Sequence, residues 1–187
     1  MDQATQPEKS LSFDDLAPAE RELVLAAQQA SGNAYAPYSG FAVGAAVRCG
    51  DGRIYVGANL ENASYGVAVC AEVTAIANAN AADDYDVVAL AVVAHKFSEP
   101  SDVSLVAMPC GRCRQLISEA GQISATDVQI LSCNGDLTQI RASTISRLLP
   151  SEFGPKNLGL SEEWPKMRRE LKLRLAELQE NTRRKSP

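Results

Sequence analysis

Two short segments of the sequence carry side chains that can bind a metal ion and move a proton. The first contains Cys70 and Glu72, and the second, about forty residues later, contains Cys110 and Cys113 in C-x-x-C spacing. Two thiolates at this spacing on the first turn of a helix can reach one ion, and Cys70 can supply a third. Three protein ligands leave one coordination position open, which distinguishes a catalytic zinc site from a structural one.

Glu72 is the candidate for acid–base chemistry at such a site. Its offset of two residues from Cys70 does not place both side chains on one face of a regular helix, so we expect the site to lie off a helix N-terminus. There a carboxylate can take a proton from a metal-activated water and deliver it elsewhere. A purely structural zinc module is the alternative, with Cys49, Cys133 or His95 as its fourth ligand. His95 follows a predicted buried strand, and we interpret it as structural.

The segments that must position these residues alternate between extended and helical patterns. The predicted strands are residues 41–47, 53–59, 86–95, 128–133 and 137–140, and the predicted helices begin near residues 18, 70, 110 and 144. The turn at residues 50–52 predicts an antiparallel hairpin from the first two strands. The third strand is continuously apolar, which is typical of a strand covered on both faces. The order of elements predicts an α/β fold with a mixed sheet.

The composition is that of a globular protein with reduced thiols. The chain has 187 residues, 45% of them hydrophobic, a formal net charge of −5 and an odd number of cysteines, five. Because there is no apolar run long enough to cross a bilayer and no secretory signal pattern, we expect a cytoplasmic protein without membrane contacts. The acidic charge and the scarcity of aromatic residues argue against a protein built to bind nucleic acid.

The charge and the residue pattern divide the chain into three predicted parts. These are a flexible lead at residues 1–15, a zinc-binding domain at residues 16–160, and an amphipathic helix with a basic tail at residues 161–187. The last part carries a net charge of +3, which leaves −8 for residues 1–160. We expect its apolar stripe, from Trp164 to Leu178, to pack on the domain or on a neighbouring subunit. Recruitment of nucleic acid by this helix, as in an editing enzyme, is the alternative.

From about Tyr35 to Gly159 the chain resembles the small, homotetrameric class of cytidine deaminases. The segments APYSGFAVGAA, GANLENASYG, VCAEVTAI, PCGRCRQ and LLPSEFGP stand in that family's order. Cys-x-Glu followed by Pro-Cys-x-x-Cys is also the signature of zinc-dependent nucleobase deaminases. The resemblance implies a three-layer α/β/α fold with a mixed five-stranded sheet, one Zn²⁺ per chain and a homotetramer. The implied activity is hydrolysis of cytidine and 2′-deoxycytidine to the uridines and ammonia.

The resemblance also implies a role for each candidate residue. The implied zinc ligands are Cys70, Cys110 and Cys113, and the implied proton shuttle is Glu72. The implied substrate-binding residues are Phe41 and the Ala71 backbone for the base, Asn59 and Glu61 for the ribose 3′-hydroxyl, and Tyr65 and Phe153 for closure of the pocket. The last two would act partly from neighbouring subunits.

Three positions depart from the family's pattern and bear on the substrate range. Val73 stands where tetrameric members usually have arginine, and Ser64 and Met108 replace a cysteine common in animal members and a frequent serine. Because a Glu followed by an aliphatic residue also resembles the blasticidin S deaminases, a deaminase of a related aminopyrimidine or nucleoside antibiotic is the alternative reading. We expect Arg112 or Arg114, with Arg114 preferred, to supply the positive charge that Val73 does not.

Overall fold

The structure, a computed structural model, describes residues 9–98, 105–160 and 162–185. The chain divides into two compact units, one extending to Glu152 and the other beginning at Phe153. Residues 1–8 of the expected flexible lead, and residues 161, 186 and 187 of the expected tail, lie outside the described residues. The expected domain limits of 16–160 stay a prediction, since the division between units falls within them.

The first unit is built on one mixed sheet with helices on both faces. Its strands are β1 (Lys9–Leu11), β2 (Phe41–Cys49), β3 (Ile54–Ala58), β4 (Val87–Lys96), β5 (Gln129–Asn134) and β6 (Ile140–Thr144). Its helices are α1 (Pro18–Ser31), α2 (Ala71–Ala81), α3 (Gly111–Ser124) and the short α4 (Ile145–Leu148). The strand order is β1-β6-β5-β4-β2-β3, in which β4 and β5 are the parallel pair. The second unit contains α5 (Glu163–Lys185).

The central strand β4 is buried on both faces, as its continuous apolar sequence predicts. Leu90 and Val92 pack into the core that contains α2 and α3, whereas Ala91 and Val93 pack into the core that contains α1. Successive side chains of a strand point to opposite faces, so a strand between two helical layers must be apolar at nearly every position. This arrangement confirms the three-layer α/β/α architecture.

Within the described residues the sheet has six strands rather than the five expected. The additional strand β1 lies within the expected flexible lead and pairs antiparallel with β6, with Lys9 opposite Ala142 and Leu11 opposite Ile140. The expected hairpin of β2 and β3 is confirmed. The expected strand at residues 137–140 instead begins at Ile140, because Leu137 adopts a left-handed conformation with φ of 62°. That conformation belongs to a turn and not to a strand.

Helix α2 lies directly against β3 because residue 57 is glycine. A Cβ atom at Gly57 would lie 2.4 Å from the backbone nitrogen of Ala75 and 2.6 Å from the carbonyl oxygen of Ala71. Only a residue without a side chain permits this approach of two backbones. Gly57 therefore fixes the first turns of α2, and with them the residue that precedes the helix, Cys70.

No helix in the described ranges is both long enough and apolar enough to cross a lipid bilayer.

Candidate metal centre and adjoining cavity

Three cysteines meet where α2 and α3 begin. Cys70 and Cys110 each occupy the position before the first helical residue, with extended backbones at φ −72° and −69°, and Cys113 lies in the first turn of α3. The Sγ atom of Cys110 is 3.9 Å from that of Cys70 and 3.5 Å from that of Cys113. All three sulfur atoms lie within 4.8 Å of one another, and no other such group of ligating side chains occurs among the described residues.

The spacing of the sulfur atoms fits a tetrahedral zinc ion. With Zn–S bonds of about 2.3 Å, tetrahedral geometry places two thiolates ~3.8 Å apart, close to the 3.9 and 3.5 Å between these atoms. The N-termini of two helices face the cluster, and their partial positive charge stabilises thiolates. The residues present therefore provide three ligands and leave the fourth tetrahedral position to a non-protein group.

The side chains considered as a fourth ligand do not join this cluster. Cys49 and Cys133 are buried within the two hydrophobic cores. Burial raises the pKa of each of these thiols to about 12, so both are protonated at neutral pH and are poor metal ligands. His95 is in β4, paired with Ala42 of β2. These positions argue against a structural four-ligand site.

Glu72 is a buried carboxyl group at the edge of the cluster. It lies in the first turn of α2 with 4% of its surface exposed, although glutamate is rarely buried to this extent. Burial is the main cause that raises its pKa, and the charge of Cys70 raises it further, while a hydrogen bond with Cys113 acts in the opposite direction. Glu72 is not one of the clustered ligands. Its expected role, proton exchange beside the metal position, stays a prediction.

Among the thiols whose pKa is shifted by their surroundings, Cys70 has the lowest pKa. The hydrogen bond from Cys113 is the largest cause that lowers its pKa to about 6, and the charge of Arg112 contributes. The Nη1 atom of Arg112 donates a hydrogen bond to the carbonyl oxygen of Ala68, at 3.2 Å. This contact holds the guanidinium group beside the segment that leads into Cys70.

The two arginines that flank Cys113 have different surroundings. Arg114 donates from Nε to the carbonyl oxygen of Pro109 at 2.8 Å and from Nη1 to that of Leu148 at 3.2 Å. It therefore ties the segment before α3 to the end of α4. The charge of Arg112 is among the causes that lower the pKa of Cys70. Compensation of the cluster's charge by Arg112 or Arg114, with Arg114 preferred, stays a prediction.

A cavity of about 430 Å³ adjoins the cluster. Most of the predicted site residues line this cavity, and so does Met108, one of the positions that depart from the family's pattern. The site residues that line it are Phe41, Asn59, Glu61, Cys70, Ala71, Glu72 and Cys110. Its remaining walls are mostly apolar. This combination of apolar walls and a few convergent polar groups is typical of a site for a small organic ligand.

The amide of Asn59 holds the beginning of β2. Its Oδ1 atom accepts a hydrogen bond from the backbone nitrogen of Val43 at 2.9 Å, and its Nδ2 atom donates to the carbonyl oxygen of Phe41 at 3.0 Å. Asn59 thus orders the cavity wall as well as lining it. Its predicted contact with a ribose hydroxyl stays a prediction, and the amide has one donor hydrogen and one acceptor lone pair left for it.

The carboxylate of Glu61 is fixed by the preceding turn. Its Oε2 atom accepts hydrogen bonds from the backbone nitrogens of Tyr38 at 3.0 Å and Ser39 at 3.2 Å. A hydrogen bond with the Ser39 side chain is the largest cause that lowers the pKa of Glu61. Glu61 is consequently ionised at neutral pH, and its other oxygen can accept a hydrogen bond in the cavity.

Of the two aromatic residues predicted to close the pocket, Tyr65 belongs to the first unit and does not line the cavity. Tyr65 is 78% exposed and contacts Tyr38 edge to face, with the ring centroids 6.2 Å apart. Phe153 begins the second unit. Their predicted closure of a pocket, in part that of a neighbouring subunit, stays a prediction.

Several lining residues were not identified from the sequence. Val43 and Val92 come from buried strands, and residues 105–107 come from the stretch before Cys110. The alternation of buried strands assigns Val43 and Val92 to a face of the sheet, but only the tertiary arrangement shows that this face opens into a cavity. The irregular stretch before Cys110 has no periodic pattern from which its neighbours could be predicted.

Comparison with known proteins gives one consistent result. Residues 18–129 match the family model described as the cytidine and deoxycytidylate deaminase zinc-binding region. The chain is 43% identical over 136 residues to a cytidine deaminase of Halalkalibacterium halodurans. The aligned residues make up 73% of this chain and 95% of the relative. It is similar to the crystal structure of a cytidine deaminase from Burkholderia pseudomallei, with 38% sequence identity and a TM-score of 0.62. The match covers 71% of this chain and 97% of the other. It is also similar to the crystal structure of a cytidine deaminase from Mycobacterium leprae, with 39% sequence identity and a TM-score of 0.55. That match covers 70% of this chain and 96% of the other.

Proposed function

The chain belongs to the cytidine and deoxycytidylate deaminase family, and on that premise we propose that it hydrolyses cytidine and 2′-deoxycytidine to uridine, 2′-deoxyuridine and ammonia. One observation carries the proposal. The buried carboxyl group of Glu72 lies beside three convergent thiols at the wall of a cavity of about 430 Å³. Three side chains that can bind a metal ion, a buried carboxyl group and room for a small ligand thus meet at one place.

Cys70, Cys110 and Cys113 are the proposed ligands of one zinc ion. When bound, zinc supplies a Lewis acid that lowers the pKa of water to about 7. The chain's own contribution is to hold three thiolates at the start of two helices, where the backbone dipoles stabilise their negative charge. Arg112 adds a positive charge near Cys70.

Glu72 is the proposed proton carrier. In the reaction, water adds at C4 of the pyrimidine and ammonia leaves from the same carbon. Glu72 takes one proton from the attacking water and passes it to N3, then takes the second and passes it to the departing amine. Because burial raises its pKa, the carboxyl group binds and releases protons closer to neutral pH, which is what a general acid and base requires.

The cavity walls provide contacts for the two halves of a nucleoside. Phe41, Val43 and Val92 present apolar surface for the pyrimidine ring. The ionised Glu61 offers a carboxylate oxygen to a ribose hydroxyl, a charge-assisted hydrogen bond. Since a carboxylate repels a phosphate group, Glu61 also favours nucleosides over their 5′-phosphates.

The proposed assembly is a homotetramer in which Tyr65 and Phe153 help to close neighbouring pockets. Its support is the exposure of large side chains beside the cavity. Leu60, which lines the cavity, is 54% exposed, and Val67 and Tyr65 are exposed nearby in sequence. Contiguous exposed apolar surface marks interaction sites. A cytoplasmic location is proposed because the five cysteines are free thiols.

The proposed activity is tested with the purified, zinc-loaded protein and four substrates. We expect loss of the cytosine chromophore and release of one ammonia per nucleoside from cytidine and 2′-deoxycytidine. For the matched 5′-phosphates we expect kcat/KM to be at least ~10-fold lower, because of charge repulsion at Glu61. Absence of ammonia from both nucleosides would refute the proposed function, and a preference for the phosphates would refute the role given to Glu61.

A further inference from the structure

The side chain of Ser39, in the turn before β2, contacts two residues that line the cavity. The backbone nitrogen of Phe41 donates a hydrogen bond to the Oγ atom of Ser39 at 3.1 Å, which is the geometry of a serine that stabilises a turn. The same side chain forms a hydrogen bond with Glu61. Ser39 therefore lies between a residue expected to contact the base and a residue expected to contact the sugar.

The chemistry of a hydroxyl group fixes the direction of both contacts. A serine side chain has one hydrogen to donate and two lone pairs that accept. The Phe41 nitrogen can only donate, so it occupies a lone pair of the Ser39 oxygen. The ionised carboxylate of Glu61 can only accept, so the Ser39 hydrogen is directed to it. Ser39 thus bridges a backbone amide and a carboxylate, and the two contacts do not compete.

The backbone of the same turn also holds Glu61. The backbone nitrogens of Tyr38 and Ser39 both donate to the Oε2 atom of Glu61, and the Glu61 backbone nitrogen donates to the carbonyl oxygen of Tyr35 at 2.8 Å. A carboxylate that the backbone holds through one oxygen can still pivot about that oxygen. A further donor from a side chain restricts this motion and so orients the other oxygen.

We propose that Ser39 is a positioning residue for Glu61: its hydroxyl group links the Glu61 carboxylate to the Phe41 backbone and holds that carboxylate toward the cavity. The effect on ribose binding rests on the proposed function, because it requires that Glu61 accept a hydrogen bond from a sugar hydroxyl. A carboxylate that is already oriented loses less conformational freedom when the nucleoside binds. Ser39 itself is not one of the residues that line the cavity, so its loss should raise KM and leave kcat unchanged.

The alternative is that Ser39 stabilises only the turn. Ser146 provides a matched control for this reading, since its backbone nitrogen donates to Oδ1 of Asp127 at 3.0 Å and its hydroxyl group donates to Oδ2 at 2.7 Å. Neither residue of this pair lines the cavity. Ser146→Ala therefore removes a contact of the same kind, between a serine hydroxyl and a carboxylate, outside the site.

A double-mutant cycle in the full-length, zinc-loaded protein separates the two roles. Ser39→Ala should raise KM for cytidine about fivefold, the scale of one intramolecular hydrogen bond, with kcat within twofold of the parent. Ser39→Thr keeps the hydroxyl group, and because residue 39 is exposed the added methyl group has room, so the parent KM should be restored. In the Glu61→Ala protein, Ser39→Ala should change KM less than twofold, since the effects of contacting residues are not additive. Ser146→Ala should leave KM unchanged in both backgrounds.

Titration of the same variants by NMR, with isotope-labelled glutamate, gives a measurement that does not need turnover. The Glu61 signal is identified by its absence from the Glu61→Ala protein. Because the hydrogen bond with Ser39 lowers the pKa of Glu61, Ser39→Ala should raise that pKa. Ser39→Thr and Ser146→Ala should leave it unchanged.

Three results would overturn the proposal. They are an unchanged KM in Ser39→Ala, a rise in KM by the same factor in the parent and in the Glu61→Ala protein, and an unchanged pKa of Glu61 in Ser39→Ala. If the parent does not deaminate cytidine, the proposed function fails. In that case the titration still decides whether Ser39 holds the Glu61 carboxylate, because a raised pKa supports the bridge and an unchanged pKa rejects it.

Discussion

Replacement of Gly57 by alanine tests how closely the metal centre depends on the contact between β3 and α2. The added Cβ would lie 2.4 Å from the Ala75 nitrogen, 2.6 Å from the Ala71 carbonyl oxygen and 2.7 Å from the Thr74 Cβ. The first two are backbone atoms, so rotation of a side chain cannot relieve the overlap. Ordinary contacts begin near 3.4 Å, and α2 must therefore move by about 1 Å.

A displacement of this size has two calculable consequences. Overpacking of a well-packed interior costs ~1–3 kcal/mol in the free energy of unfolding, and a misplacement of ~1 Å at reacting groups can cost ~10²-fold in rate. Because the displaced turn carries Glu72 and follows Cys70, we expect Gly57→Ala to lower kcat/KM for cytidine about 100-fold and to weaken zinc retention against a chelator.

Urea unfolding, zinc content and the absorbance assay with cytidine measure these effects. Gly32→Ala is the matched control, since a Cβ there meets the Gln29 carbonyl oxygen at an ordinary 3.4 Å and its φ is −64°. The control should match the parent in all three measurements. A Gly57→Ala protein within twofold of the parent in kcat/KM and within ~0.5 kcal/mol in stability would refute the argument that this close approach positions the site.

Three further predictions concern charge and the second unit. Arg112→Gln should raise the pKa of Cys70, because the positive charge of Arg112 lowers that pKa in the parent. Acid should then protonate the thiol and release zinc at a higher pH than in the parent. Arg114→Gln is measured alongside and should leave the pH of zinc release unchanged. Glu61→Gln should raise KM for cytidine about tenfold or more through loss of a charge-assisted hydrogen bond and leave KM for free cytosine nearly unchanged, and equal effects on both would make Glu61 structural. Truncation after Gly159 should retain deamination per chain, because the cysteine cluster and the cavity lining lie upstream, and a folded but inactive product would contradict this.

The metal centre could be predicted from the sequence because its residues are close in sequence to elements with strong local signals. Cys70 and Cys110 precede helices whose periodic patterns are visible, so their side chains were expected to meet off the helix N-termini. The strand β4 was predictable for a similar reason, since burial on both faces leaves a continuous apolar run.

Other features depend on contacts between distant segments, and local patterns do not encode them. The strand β1 has three residues and becomes a strand through pairing with β6, about 130 residues later. The anchoring of Arg114 by two backbone carbonyls, one of them from Leu148, likewise depends on the folded arrangement. Sequence reasoning could name Arg112 and Arg114 as candidates, but only their contacts distinguish them.

The most direct test of the account is to measure zinc content and turnover together in Glu72→Ala. Glu72 is outside the cysteine cluster and is proposed as the proton carrier, so its removal should affect the chemistry and leave metal binding intact. We expect close to one zinc per chain and a kcat for cytidine lower by at least ~10²-fold, the low end for a positioned acid–base group. Turnover equal to that of the parent, or loss of zinc together with the carboxyl group, would contradict the account.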